Sequence, residues 1–288
     1  MKLGDATIDR AFEQSFPVSV LSLTTDEALI ERRAGTLPPG FLDRKSNAFA
    51  FTSQSWIVQV DGLVVLVDPC TGNGRHLGQA PVFDDLDTPY LDRLGVRPER
   101  VDVVFSTHLH HDHCGWNVRR DGGRWVPTFP NASYLFVDAE YERWASTDHP
   151  NTFSPNVFGQ CVRPVVDAGL ATVVSPPHRV SPSLTIEPAP GHTLGHAVLR
   201  LESDGTTAYF TGDAFHHPLQ FTDPGLHLPG CDDLARAIET RAALVDRVRR
   251  ESAFVFPAHF PAPHYGRLGL DGDEVCFLPG ETGLLQSR

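Results

Sequence analysis

Six consecutive positions, His108-Leu109-His110-His111-Asp112-His113, hold four histidines and one aspartate. Imidazole nitrogen and carboxylate oxygen are ligands for divalent cations, so this density points to metal chemistry. The spacing sorts the cluster. His108 and His110 lie two apart at the end of the apolar run "VDVVFST". Alternate residues of an extended chain face the same side, so both rings can reach one ion. Asp112 and His113 follow where the chain should turn into a helix, and they can face a second position nearby. Leu109 and His111 point elsewhere, which leaves His111 facing solvent or supporting a ligand.

A zinc-like ion takes about four ligands, so other segments must complete the set. Three later stretches offer candidates. His192 in "APGHTLGHA" comes after a strand and a Pro-Gly turn; Asp213 in "YFTGDAFHH" and His259 in "FVFPAHF" each end an apolar run. Loops that leave a sheet are where a rigid scaffold presents functional groups.

The elements that must position these residues are legible in outline. "FPVSVLSL" from Phe16 opens a β pattern. "FAFTSQSWIVQV" and "LVVLVDPC" flank Asp61-Gly62, a two-residue hairpin signal. "SYLFV" leads into "DAEYERW", which reads as helix. "LTIEPAP", "HAVLRLES" and "TAYFTGDA" are strands in close succession, and "AFVFPAHF" is the last clear one. Between Asp232 and Arg250, the residues Leu234, Ala237, Ile238, Val245 and Val248 form an apolar helical stripe with acids at its start and arginines at its end. Interspersed strands and helices predict a mixed α/β sandwich. No linker or repeat interrupts the 288 residues, so a single domain over 1–288 is expected.

Composition narrows the function classes. Lys and Arg number 24 against 36 Asp and Glu, a net charge of −12, and the only lysines are Lys2 and Lys45. A polyanion would be repelled, which argues against a nucleic-acid partner. No apolar run is long enough to span a bilayer, and the N-terminal residues form no secretory signal. The five scattered cysteines include no CxxC, so free thiols and a cytoplasmic setting are expected.

The ordered set His108-x-His110-x-Asp112-His113, His192, Asp213 and His259 resembles the metal-ligand set of the metallo-β-lactamase-fold hydrolases. The resemblance implies a four-layer αββα sandwich with the site along one sheet edge. It also implies two divalent metal ions per chain: His108, His110 and His192 on the first, Asp112, His113 and His259 on the second, with Asp213 between them. An aspartate bridge and the absence of a glutamate in the first motif set the chain apart from cysteine-ligated zinc β-lactamases and from redox di-iron members. Zinc fits the nitrogen and oxygen ligands most simply; manganese, iron and cobalt remain open.

"THLHHDHCGWN", "GDAFHHPLQ" and "PAHFPAPHYGRL" are most similar to the lactonase and organophosphate-hydrolase branch. The quorum-quenching lactonases place a tyrosine three residues after the bridging aspartate. Here His216 stands there, which points away from acyl-homoserine lactones while leaving lactone hydrolysis open. The implied reaction is attack by a metal-bridging hydroxide on the carbonyl of a small-molecule lactone or ester. Asp112 is expected to handle the proton and His216 to contact the substrate. Alternatives on the same ligands are a phosphotriesterase, a thioesterase resembling glyoxalase II, a nuclease, or a non-catalytic metal-binding protein.

Supporting roles are expected around this set. Asp68, ending "LVVLVD", can orient a ligand histidine or cap a turn. His196 is expected in a backbone or supporting hydrogen bond, His217 and His264 at the surface or pocket rim, and Cys114 as a buried thiol. Trp116 and Trp144 are expected in the core, and Phe215 or Phe260, each beside a ligand, along the pocket.

Overall fold

Asp61 and Gly62 both adopt positive φ, 54° and 79°, the conformation of a tight two-residue hairpin. They join β3 (Ala48–Val60) to β4 (Leu63–Val67) as the sequence predicts. The structure, a computed structural model, describes residues 1–77, 81–146, 154 and 156–281.

The first sheet has seven strands in the order β1 (Lys2–Leu3), β2 (Ala6–Ser19), β3, β4, β5 (Val103–Phe105), β8 (Ser133–Val137) and β9 (Ala171–Val174). A separate hairpin, β6 (Val118–Asp121) and β7 (Arg124–Pro127), lies between β5 and β8 in sequence. The second sheet runs in chain order through β10 (His178–Arg179), β11 (Leu184–Pro188), β12 (Ala197–Ser203), β13 (Thr206–Gly212), β14 (Phe254–Pro257), β15 (Gly266–Asp271) and β16 (Glu274–Pro279). The helices are α1 (Glu27–Arg33), α2 (Tyr90–Arg93), α3 (His111–Cys114), α4 (Asp138–Ala145), α5 (Arg163–Asp167), α6 (Leu219–Thr222) and α7 (Leu234–Arg250).

Side-chain alternation builds the layers. Trp56, Val58 and Val60 of β3 point into a core shared with Leu199, Leu201, Phe210 and Phe256 of the second sheet. The intervening Ile57 points the other way, into a cluster with Trp144 of α4 and Val165 of α5. On the far side, Val198, Tyr209 and Val255 pack against Leu244, Val245 and Val248 of α7. Helix, sheet, sheet and helix therefore stack in four layers around one inter-sheet core, the αββα arrangement expected.

Two elements differ from expectation. β2 begins at Ala6 rather than Phe16; only Ala6, Ile8 and Ala11 supply its early apolar face, too sparse a signal against Asp9, Arg10 and Glu13. The hairpin β15–β16 follows the strand expected to be last, and its exposed Leu270 and Leu278 disguise the alternation. Helix α7 lies within the expected stretch, and Asp233 caps it by accepting the Arg236 N–H at 3.0 Å.

The topology decides where functional groups can gather. β4 runs parallel to β5, and β13 runs parallel to β14. Each parallel pair ends at one sheet edge. Asp68 follows β4, His108 lies beyond β5, Asp213 directly follows β13, and His259 lies beyond β14. Ligand sites outside the carboxyl ends of such strands are a general consequence of this geometry.

Candidate metal centre

Seven side chains from four connections meet at that edge. Potential ligand atoms of His108, His110, His192 and Asp213 lie within 4.8 Å of one another, as do those of Asp112, His113 and His259. Asp213 joins the two groups through different oxygens. Its Oδ2 is 3.2 Å from His192 Nε2 and 3.7 Å from His108 Nε2; its Oδ1 is 3.2 Å from His113 Nε2 and 2.9 Å from His259 Nε2. His110 enters by Nδ1, 2.9 Å from His108 Nε2 and 3.1 Å from His192 Nε2.

The outer ring nitrogens reveal what the inner ones must carry. His259 Nδ1 lies 3.0 Å from the Thr52 carbonyl, and His113 Nδ1 lies 3.1 Å from Asp68 Oδ2. The Thr52 carbonyl only accepts, so His259 Nδ1 carries a proton; Asp68 is a charge neighbour of His113 without hydrogen-bond geometry. In the neutral His259 ring the Nε2 lone pair then points inward, 3.1 Å from His113 Nε2 and 2.9 Å from the Asp213 carboxylate. Lone pairs and a carboxylate converging on one point repel unless protons or a cation lie among them. A divalent cation suits all of them, and the donor set is that of a zinc-type site.

The titration behaviour has the same cause. Burial and neighbouring imidazoles hold His108 and His110 well below the ordinary histidine range. Burial also opposes charging of His113 and His192, but the carboxylates outweigh it: His113 is pushed well up by Asp213, Asp112 and Asp68, and His192 is raised to about 9, chiefly by Asp213. Burial would raise Asp213; His113, His259, His216 and His192 instead hold it well below the usual carboxylate range. Without a cation, the cluster can balance its carboxylate only by protonating some rings and not others.

Close packing brings the loops together. Gly212, at φ +49°, precedes Asp213; a Cβ there would lie 2.4 Å from Thr107 Oγ1 and 2.9 Å from His196 Nε2. His196 locks the same turn, accepting the Asp213 N–H at 3.1 Å and donating from Nδ1 to the Ala189 carbonyl at 3.0 Å. Burial and His192 push His196 down to about 3, so it stays neutral. Asp68, at φ 53°, accepts the Thr107 N–H at 2.7 Å and the Thr107 hydroxyl at 3.0 Å. Asp68 therefore braces the turn, and its Oδ2 also lies 3.1 Å from His113 Nδ1 as a charge contact.

Two buried glutamates brace the ligand loops in matching ways, and sequence reasoning missed both. Glu140 accepts the Leu109 N–H at 2.9 Å, the Gly195 N–H at 3.0 Å and the Trp144 indole N–H at 2.6 Å. It thus ties the His108–His110 segment to the His192 loop. Glu13 sits at a register shift in β2 and accepts from Thr71 N, Gly72 N and Trp116 Nε1 at 2.8–2.9 Å. The Cys70 and Pro69 carbonyls in turn accept Gly115 N–H and Trp116 N–H, just after α3. In sequence, Glu140 reads as one acid on a solvated helix face; the nearby tryptophans were the available signal.

Other expectations need correction. His217 is fully buried, not at a rim, with Nε2 2.7 Å from the Phe41 carbonyl and Nδ1 accepting from Leu219 N. His111 is buried beside the cavity rather than facing solvent, and burial holds it down at about 4. Phe215 and Phe260 are both fully buried in the core behind α7, and neither lines the cavity. Phe51 and Phe16 do instead. Cys114 is a buried thiol as expected, donating to the His110 carbonyl at 3.2 Å, and His264 is partly buried against the Phe260 carbonyl. Trp116 and Trp144 are in the core.

A cavity of about 160 Å³ opens onto the centre, lined by His110, His111, Asp112, His192, Asp213 and His216 together with apolar residues. A larger cleft of about 730 Å³ lies between α7 and β15, lined by Arg249 and Leu270 among others and by none of the seven residues. The smaller cavity is the one with reactive groups in its wall. His216 is buried there with Nε2 3.1 Å from Asp213 Oδ2. A carboxylate only accepts, so Nε2 carries the proton; burial holds the ring down at about 4, and Nδ1 keeps a lone pair.

Residues 48–259 match the family model of the metallo-beta-lactamase superfamily, and the chain belongs to that superfamily. It is 25% identical over 177 residues to an N-acyl homoserine lactonase of Bacillus cereus, covering 61% of this chain and 62% of that one. The chain thus spans less than two thirds of the length of that curated relative. Among solved structures, AidC, a dizinc quorum-quenching lactonase, superposes with a TM-score of 0.76 at 19% identity, covering 98% of this chain and 96% of that one. The hydrolase AbOPH superposes with 0.77 at 22% identity, over the same shares. No helix among the described residues is long and apolar enough to cross a membrane.

Proposed function

We propose that this protein is a dinuclear metal-dependent hydrolase that opens a lactone or cleaves another ester-type small molecule. The observation that carries the reading is the division of Asp213, with Oδ2 toward His108 and His192 and Oδ1 toward His113 and His259. One carboxylate between two histidine groups is the arrangement a two-ion centre needs. His108, His110 and His192 would hold one ion and Asp112, His113 and His259 the other, zinc being the simplest choice. Two such ions supply an acidified water and a Lewis acid for the scissile carbonyl.

The chain's own groups do the rest. Asp112 Oδ2 lies 3.7 Å from both His113 Nε2 and His259 Nε2, and the residue faces the cavity. Its free oxygen is placed to take a proton from the attacking water and return it to the leaving alkoxide. His216 holds Asp213 by the Nε2 proton, and its Nδ1 can accept from a departing hydroxyl but cannot donate to a carbonyl. It acts by positioning Asp213 rather than through the substrate contact expected of it. The reading takes residues 1–288 as a single domain, supported by the continuous pairing of β2 with β3.

The lactonase relatives support an ester substrate over a phosphotriester or a thioester, and the −12 charge weighs against a polyanion. Hydrolysis of γ-butyrolactone, phenyl acetate, a phosphotriester and a thioester by zinc-loaded protein is the test. Turnover of the first two, lost on chelation and restored by zinc, is expected. Turnover confined to the phosphotriester would replace the proposed substrate class, and none at all would remove the enzyme.

A further inference from the structure

The part of the cavity wall that adjoins His259 is apolar and largely aromatic. Phe51 stacks on the His259 ring at 3.9 Å between centroids, Phe16 stacks on Phe51 at 5.2 Å, and Phe83 meets Phe16 edge-on at 5.4 Å. Val18 and Leu228 complete the surface. Phe16, Val18, Phe83 and Leu228 are only half-buried, so apolar area stays available at the cavity. Among the described residues lining it there is no lysine or arginine. An anionic group on a substrate's far end would lose its water there and gain no lysine or arginine partner.

Size narrows the ligand further. The cavity is about 160 Å³. An apolar cavity of about 150 Å³ accommodates one benzene ring. Aromatic walls favour a flat ring, which can stack on one face and meet another edge-on, as these phenylalanines already meet one another. Phe16 and Val18 belong to β2, outside the stretch that matches the superfamily model, while Phe51, Phe83 and Leu228 lie within it.

We infer that the site selects an uncharged ester or lactone bearing a single aromatic ring, held against Phe16 and Phe51. This rests on the hydrolase reading above. With zinc-loaded protein, kcat/KM would be measured for dihydrocoumarin, δ-valerolactone and a carboxylate-substituted dihydrocoumarin, each divided by its alkaline hydrolysis rate. Dihydrocoumarin should exceed δ-valerolactone at least tenfold and its carboxylated form at least a hundredfold. Phe16→Ala should raise KM for dihydrocoumarin about tenfold with little change in kcat, and Val18→Arg should favour the carboxylated form relative to the neutral one. Equal normalised rates for all three lactones, or a Phe16→Ala variant with unaltered KM, would overturn the inference while leaving the hydrolase reading intact. Calorimetric binding of 3-phenylpropanamide separates the two claims without turnover. Tight binding that weakens at least tenfold in Phe16→Ala supports the aromatic subsite even if no lactone is hydrolysed. Absence of binding to the zinc-loaded protein removes the subsite.

Discussion

His259 sets its outer nitrogen against a firm acceptor, the Thr52 carbonyl, and His113 Nδ1 lies 3.1 Å from the Asp68 carboxylate as a charge contact without hydrogen-bond geometry, whereas His110 and His192 have little behind them. His110 Nε2 has no hydrogen-bond partner among the described residues, and His192 Nδ1 faces only the Cys231 sulfur, at 3.8 Å. The first group is instead held through its backbone: Glu140 grips Leu109 and Gly195, and all four of its residues are buried. The second group is fixed ring by ring but is open on one side, where Asp112 is half-buried at the cavity. One half fixes orientation by packing, the other fixes tautomer by hydrogen bonding. Both halves reach the cavity, the first through His110 and His192 and the second through Asp112.

The largest effect should come from the residue the halves share. Asp213→Ala removes the oxygens facing both groups and leaves the ring nitrogens without a counter-charge. Loss of both ions and a fall in kcat/KM beyond about a thousandfold are expected, read by metal analysis and ester hydrolysis. Retention of both ions would break the assignment.

A crossed pair of substitutions sharpens the contrast between the halves. Asp68→Asn removes the carboxylate charge beside His113 and should weaken the second ion by about 10- to 100-fold. Glu140→Gln puts an amide N–H against a backbone N–H and should weaken the first ion. Spectra of cobalt-substituted protein under chelator competition would follow each position separately. Loss at the same position in both variants would erase the distinction drawn here.

His216→Phe should produce the smallest change. The ring shape is kept, the hydrogen bond to Asp213 is lost, and neither ligand group loses a member. About a tenfold fall in kcat with both ions retained is expected, the lower end of the about 1.5–3 kcal/mol that a lost charge-assisted hydrogen bond is worth. A loss of one ion would make His216 a ligand.

The seven clustered residues were legible because ligand chemistry concentrates unusual residues at fixed spacings, and strands before them carry dense apolar runs. Asp68 was legible for the same reason. Glu13 and Glu140 were not, because a carboxylate's burial depends on which backbone N–H groups the tertiary fold brings to it, and no local pattern records that. The cavity wall was misjudged on the same grounds. Phe215 and Phe260 adjoin ligands in sequence but turn into the α7 core, while Phe16 and Phe51 reach the cavity by the side their strands present to it.

The central claim is two ions on one shared carboxylate, and elemental analysis of the zinc-reloaded wild-type protein tests it most directly. Two zinc ions per chain are predicted, both removable by chelation. One tightly held zinc, with all seven residues intact, would contradict it.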